Sequence, residues 1–221
     1  MKSRILVSIL SLFVIAVGAA AQTPSALEAD PKGWKDIFPN ASFKGWTRAV
    51  LPPTPALDPV TQWKIDRTHR ILLCEGDRGH EWLWYNRGLA NFILHVEWRF
   101  AKVEGAKGYN SGVIIRTATD SSVWHQAQMG AENDGFLFGG KFVNGQVQDL
   151  KFAPRPKENR IKPPGGWNTY EVRCEGPQIT LWVNGAISSE YSTPDALKGY
   201  LGLEAEGFRI EFRNLKLKVL P

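Results

Sequence analysis

Phe92-Ile93-Leu94-His95-Val96-Glu97-Trp98-Arg99-Phe100 alternates without a break: Phe92, Leu94, Val96, Trp98 and Phe100 fall on one face, Ile93, His95, Glu97 and Arg99 on the other. A period of two is that of a β-strand with one face against a core. Outward from it, Ser111 to Thr117 is a β-branched run, and Thr169 to Cys174 and Gln178 to Val183 flank a Gly176-Pro177 turn, predicting three more strands. Asn184-Gly185 is the strongest short hairpin signal in the chain. The closing stretch alternates through Ile210, Phe212, Leu215, Leu217 and Val219, with a one-residue slip at Asn214 that predicts a bulge. Only Pro194 to Lys198 suggests a helical turn. Many short strands between turn signals predict an all-β antiparallel sandwich.

The 221 residues suit one domain, and 43% apolar with 22% charged residues exclude a disordered tail or a fibrous repeat. Nine Trp, 21 Gly and 14 Pro against two Met fit turn-rich β structure with aromatic platforms. Residues 1–21 read as a secretory signal: Lys2 and Arg4 precede an apolar run from Ile5 to Val17 and the small residues Ala19 and Ala21. The run is too short for a comfortable membrane span, so the expected mature domain, 22–221, is exported to the periplasm or outside the cell, against the alternative of a retained amphiphilic anchor. Cleavage leaves 25 Lys and Arg against 22 acids, a net charge of +3, which is no nucleic-acid footprint. Cys74 and Cys174 leave two readings open, a disulfide closing a long loop or two buried thiols. Residues 131 to 166 interrupt the strand rhythm with Gly, Pro and charge, including five cations between Lys151 and Lys162, and read as a lid or rim beside a site.

Gly33-Trp34-Lys35-Asp36-Ile37-Phe38 with Gly45-Trp46, Glu97-Trp98-Arg99, Asn110-Ser111-Gly112 with Arg116, Trp167-Asn168-Thr169-Tyr170, Asn184-Gly185, Gly202-Leu203-Glu204 and Phe212-Arg213-Asn214 occur in that order. This set resembles the 3-keto-disaccharide hydrolase domain family, formerly a domain of unknown function. The resemblance implies a concanavalin A-like jelly roll whose concave sheet holds sugar, in an exported bacterial protein acting on glycosides oxidised to a ketone at carbon 3. The chain departs from the family's pattern at two places. Gln126-Ala127-Gln128 stands where the family usually has Glu-x-Gln, and Glu204 and Glu206 stand where it often has a Gln and a His. A carboxylate is missing from one strand and present on another.

A ketone at carbon 3 acidifies the proton on carbon 2, and its removal expels the group on carbon 1 by β-elimination, after which water adds. Such a site needs a general base, donors for the enolate oxygen and an acid for the leaving group. Glu97 is a candidate base or orienting group, against a surface ion pair with Arg99. Asn110, Gly112 and Arg116 share a face by parity, Asn110 for sugar hydroxyls and Arg116 for an oxyanion, against a turn and a capping role. Trp124, Gln126 and Gln128 also share a face and offer one stacking ring and two amides, while His125 points with Ala127. Glu204 and Glu206 pair near the C-terminus, for acid and base work, a divalent cation, or merely a polar outer face. His80, Glu81 and Trp84 lie in or beside a Gly-hinged loop rich in His, Glu and Trp. The expected catalytic set is Glu97, Arg116, Gln128 and Glu204, and the expected substrate-binding set is Trp84, Asn110, Trp124, Gln126, His80 and Glu81. The expected ligand is a carbohydrate. No cofactor is implied with certainty, and no metal is fixed by spacing. A noncatalytic carbohydrate-binding sandwich and a conventional glycosidase are the alternatives.

Overall fold

The computed structural model describes residues 22–50, 56–118, 120, 122–132, 134–150 and 155–221. The signal segment expected over 1–21 and the first part of the basic stretch, 151–154, lie outside the described residues.

The chain is almost wholly β. A four-residue helix, α1 (Ala26–Ala29), is capped by Ser25 and Glu28 in a reciprocal box. It is followed by β1 (Lys35–Asp36), β2 (Trp46–Val50), β3 (Trp63–Asp66), β4 (Ile71–Cys74) and β5 (Glu81–Leu89). Next come β6 (Phe92–Phe100), β7 (Asn110–Thr117), β8 (Val123–Gly130), β9 (Leu137–Val143) and β10 (Gln146–Leu150). The chain ends with β11 (Asn168–Glu175), β12 (Gln178–Val183), β13 (Ala186–Tyr191), β14 (Gly199–Ala205) and β15 (Ile210–Val219).

Two antiparallel sheets result. The first runs β13-β12-β11-β6-β15-β4-β3, with β1 also on β15, and the second runs β10-β9-β8-β7-β14-β5-β2. The alternation of β6 is used as expected: Phe92, Leu94, Val96, Trp98 and Phe100 are buried in the core. There they join Leu83, Val113, Ile115, Ala127 and Leu203, which the second sheet contributes. Trp98 meets Tyr170 edge-on at 5.3 Å between ring centres. The opposite face of β6 is less open than its sequence suggests. His95 is buried because Nδ1 sits 2.8 Å from Glu171, whose carboxylate also accepts the backbone N–H groups of Ala26 and Leu27. The N-terminal arm thus folds over the first sheet.

The hairpin at Asn184-Gly185 forms, with both residues at positive φ, and the slip at Asn214 is a register shift in β15 with Asn214 at φ 50°. Two expectations are corrected, and one left open is decided. Pro194 to Lys198 forms no helical turn. The segment 131–166 is not one irregular connection, because β9 and β10 add two strands to the second sheet within it, although its residues Glu132, Asp134 and Arg155 do rim a cleft. Cys74 and Cys174 are free, buried thiols, and burial pushes the Cys174 thiol up to about 12, so both are inert packing groups. Among the described residues, no helix is long and apolar enough to cross a membrane.

Candidate functional site

The second sheet carries a separate cluster on the face turned away from the core. Trp82 and Ile114 with Trp124 pack there apart from the main core, and Trp84 and Phe142 lean against them. The two-residue period explains the selection: Leu83 points inward between Trp82 and Trp84, and Ala127 inward between Gln126 and Gln128.

Beside this aromatic floor, six polar side chains close a ring. His80 Nε2 donates to Glu204 Oε1 at 2.7 Å, and Gln126 Nε2 donates to Glu204 Oε2 at 2.6 Å. Gln126 Nε2 also donates to Gln128 Oε1 at 3.2 Å, and Gln128 Nε2 donates to Asn110 Oδ1 at 2.6 Å. Asn110 Nδ2 donates to Glu206 Oε2 at 2.6 Å, which lies 3.8 Å from His80 Nε2. The backbone fixes the members: Ser111 Oγ donates to the Glu204 carbonyl at 2.8 Å. Gly112 provides the crossing point, since a methyl group there would collide with the Gln126 amide.

The electrostatics separate the ring's charges. Glu204 is only 2% exposed, and its two oxygens are held by different donors. Burial works against a charged His80, but the hydrogen bond and charge of Glu204, with the charge of Glu206, outweigh it and hold the imidazole above its ordinary range. Burial, followed by repulsion from Glu204, holds the Glu206 carboxyl above the ordinary carboxylate range. The arrangement therefore sets an imidazole that holds its proton more firmly than usual between two carboxyl groups, one of which ionises reluctantly. His80, Glu204 and Glu206 each present one ligand atom, all within 4.8 Å of one another, so these three would also be the residues to hold a divalent cation.

The structure brings together His80, Asn110, Gln126, Gln128 and Glu204, with Trp84 and Trp124 beside them. It does not bring in three others. Glu97 lies on the outer face of the first sheet, where burial is outweighed by hydrogen bonds from Arg213 at 2.7 Å and Asn214 at 3.0 Å that keep its carboxyl low. Arg116 sits at a register shift between β7 and β14 with φ 49°. This turns its side chain off the expected face into a buried position, where Nε and Nη2 donate to the Ala90 carbonyl. Glu81 points to the core side of β5, where Arg48 and the Trp63 indole N–H hold its carboxylate. Trp124 is also less open than a stacking platform: it is 6% exposed, packed on Trp82 and Phe142 and fitted over Gly140. Trp84 is half-buried and stacks on Tyr200 at 5.4 Å, with planes 10° apart. His125 is buried on the core side, as its parity predicts, and desolvation pushes its imidazole down to about 4.

A cleft of about 840 Å³ opens at the Asn110 and Gln128 end of the ring, bounded by the loop after β6 and by Asp134 and Arg155. Asp134 was not singled out by sequence. The available signal was Gly130, two residues past Gln128 on the same face, where a side chain from elsewhere needs the room.

A family model described as a 3-keto-alpha-glucoside-1,2-lyase-like domain matches residues 33–218. The chain belongs to the 3-keto-alpha-glucoside-1,2-lyase-like domain family. Solved structures show the same fold at low identity. A glycosyl hydrolase candidate from Parabacteroides distasonis ATCC 8503 is 14% identical, with a TM-score of 0.62 over 91% of this chain and 100% of its own. A second candidate from that organism is 19% identical, with a TM-score of 0.60 over 85% and 99%. The carbohydrate-binding module CBM66 from Bacillus subtilis is 14% identical, with a TM-score of 0.56 over 79% and 95%. No curated protein matches the chain. For this 3-keto-alpha-glucoside-1,2-lyase-like domain, the fold is therefore a jelly-roll sandwich, shared by enzymes and binding modules alike.

Proposed function

We propose that this chain is an exported carbohydrate-active enzyme that cleaves glycosides carrying a ketone at sugar carbon 3, by elimination followed by hydration. The observation that carries this reading is the closed ring on the second sheet, in which two carboxyl groups, one imidazole and three amides lie against one another. Family membership over residues 33–218 supports the substrate class.

Glu206 is the base. Its carboxyl ionises less readily than an ordinary glutamate, so its carboxylate is a stronger proton acceptor. It takes the proton from carbon 2, the carbon–hydrogen pair becomes the double bond between carbons 1 and 2, and the bond from carbon 1 to the departing oxygen breaks. Negative charge builds on the carbon 3 oxygen during this step. His80, kept cationic by Glu204, is the positive group beside it, and the Asn110 and Gln128 amides are the donors that orient hydroxyls. The exchange of Glu and Gln relative to the family pattern fits this assignment: Gln126 and Glu204 hydrogen-bond each other, so the carboxylate has crossed to the other end of one contact and remains in the site.

Incubation of purified protein with methyl 3-keto-glucoside and with its unoxidised parent tests the proposal. Turnover of the ketone alone is expected. Sugar binding with turnover of neither would make the protein a binding module, and turnover of the parent would make it a conventional glycosidase.

A further inference from the structure

Resting on the elimination reading, we propose that Asp134 is the acid that protonates the departing oxygen, and that the cleft beside it receives the leaving group. Trp124, Gln126 and Gln128 occupy successive outward positions on β8, and the next such position is Gly130. That position is filled from outside the strand: a methyl group on Gly130 would collide with Asp134 Oδ2 and lie 2.6 Å from its Cγ. Gly130 is the register partner of Asn110, which donates to Glu206. The Asp134 carboxyl therefore completes the outward row and stands on the far side of Asn110 from the base.

The surroundings suit a proton donor. The Asp134 side chain is 13% exposed, and its ion pair with Arg155 is long, at 3.4 Å, with Arg155 itself 59% exposed. Among the described residues, the charged and titratable groups that act on it are Arg155, Glu132 and Tyr170, and Lys102, Glu104 and Lys107 line the same cleft from the loop after β6. Burial, opposed by the charge of Arg155, holds the carboxyl above the ordinary aspartate range. Asp134, Asn110 and Gln128 all line the cleft of about 840 Å³, ample for an alcohol or a second sugar.

The proton balance closes. As Glu206 takes the carbon 2 proton, the oxygen leaving carbon 1 takes the proton of Asp134 and departs as an alcohol. Water then adds to carbon 1 and returns a proton to Asp134, while Glu206, 37% exposed and exchanging its proton with solvent, delivers a proton to carbon 2. The net reaction is hydrolysis, and both carboxyls recover their starting states.

The test compares two leaving groups in the full chain: methyl 3-keto-glucoside, whose methoxide needs a proton, and 4-nitrophenyl 3-keto-glucoside, whose nitrophenolate does not. Asp134→Asn is expected to lower kcat/KM for the methyl substrate by about 100-fold or more and for the nitrophenyl substrate by less than about 5-fold. Glu206→Gln is expected to lower both alike. Equal losses in Asp134→Asn, or none, overturn the role of Asp134 while leaving the elimination reading in place. Turnover of neither substrate by the wild type overturns that reading and this role with it. If Asp134→Asn does not fold, Arg155→Ala replaces it: loss of the neighbouring cation is expected to move the alkaline limb for the methyl substrate to higher pH, and an unmoved limb overturns the proposal.

Discussion

Gln126 on β8 and Glu204 on β14 share a 2.6 Å hydrogen bond across the intervening strand β7. The contact pairs one amide with one carboxylate, and which strand carries the charge is interchangeable in principle. Gln126→Glu alone sets two carboxylates against each other in a buried place, and Glu204→Gln alone removes the anion that keeps His80 charged. Each single change is expected to lower kcat/KM by about 10-fold or more. The exchange Gln126→Glu with Glu204→Gln is expected to recover most of the loss, with a coupling of about 1 to 3 kcal/mol in a double-mutant cycle on thermal stability. Additive single effects would remove the pair from the account.

Gly112 is where the Gln126 side chain crosses β7, so Gly112→Ala forces the amide aside. The expected cost is about 1 to 3 kcal/mol of stability from overpacking and a larger relative loss of activity, because Gln126 loses its hold on Glu204. Denaturant titration and steady-state kinetics on the same preparation separate the two effects.

The pH dependence follows from two raised groups. For the nitrophenyl substrate, whose leaving group needs no proton from Asp134, the reaction needs Glu206 ionised and His80 charged, so the acid limb is expected above the ordinary 4.5 of glutamate and the alkaline limb above the ordinary 6.5 of histidine. For stability, the folded-state value of His80 lies above its unfolded one. Its contribution is therefore fully present below about 6.5 and is lost as pH rises through the raised value. His80→Asn should abolish the alkaline limb of the rate profile and flatten melting temperature against pH across that window.

His125 has the opposite sign. Burial lowers it to about 4, so the unfolded chain binds its proton first and the native state loses stability as pH falls from about 6.5 to about 4. The full loss is on the order of 3 kcal/mol. Melting curves of the wild type and His125→Gln at pH 7 and pH 4 are expected to show a smaller acid loss in the variant.

Glu97 sits on the first sheet, bound to Arg213 and Asn214, with Trp167 stacked 4.0 Å from the Arg213 guanidinium. Glu97→Gln is expected to leave turnover within about 2-fold and to cost about 1 kcal/mol or less, as a partly exposed ion pair does. A 100-fold loss of rate would return Glu97 to the catalytic group.

The fold was legible because β6, β7 and the Asn184-Gly185 hairpin each carry a local signal: strict alternation, a β-branched run, and a turn that requires positive φ. Strand β9 was missed because Gly139 and Gly140 interrupt its apolar pattern, and Gly140 is a glycine because Trp124 lies over it. For the site, parity put Gln126, Gln128 and Glu204 on the correct faces, since no bulge intervenes. It failed at Arg116, where positive φ reverses the face without a glycine to announce it. It failed differently at Glu97 and Glu81: alternation shows that two faces differ, but long-range pairing decides which sheet a strand joins and which face meets the core. Asp134 reaches the site from a loop, so periodicity is silent about it.

In the proposed reaction, bond cleavage begins with loss of the carbon 2 proton to a group on the outward face of the second sheet. Turnover of methyl 3-keto-glucoside deuterated at carbon 2, followed by mass analysis of the released sugar, tests it most directly. The expected result is product with hydrogen from solvent at carbon 2, a slowed reaction for the deuterated substrate, and loss of turnover in Glu206→Gln. Product that keeps its deuterium, formed at an undiminished rate, would contradict it.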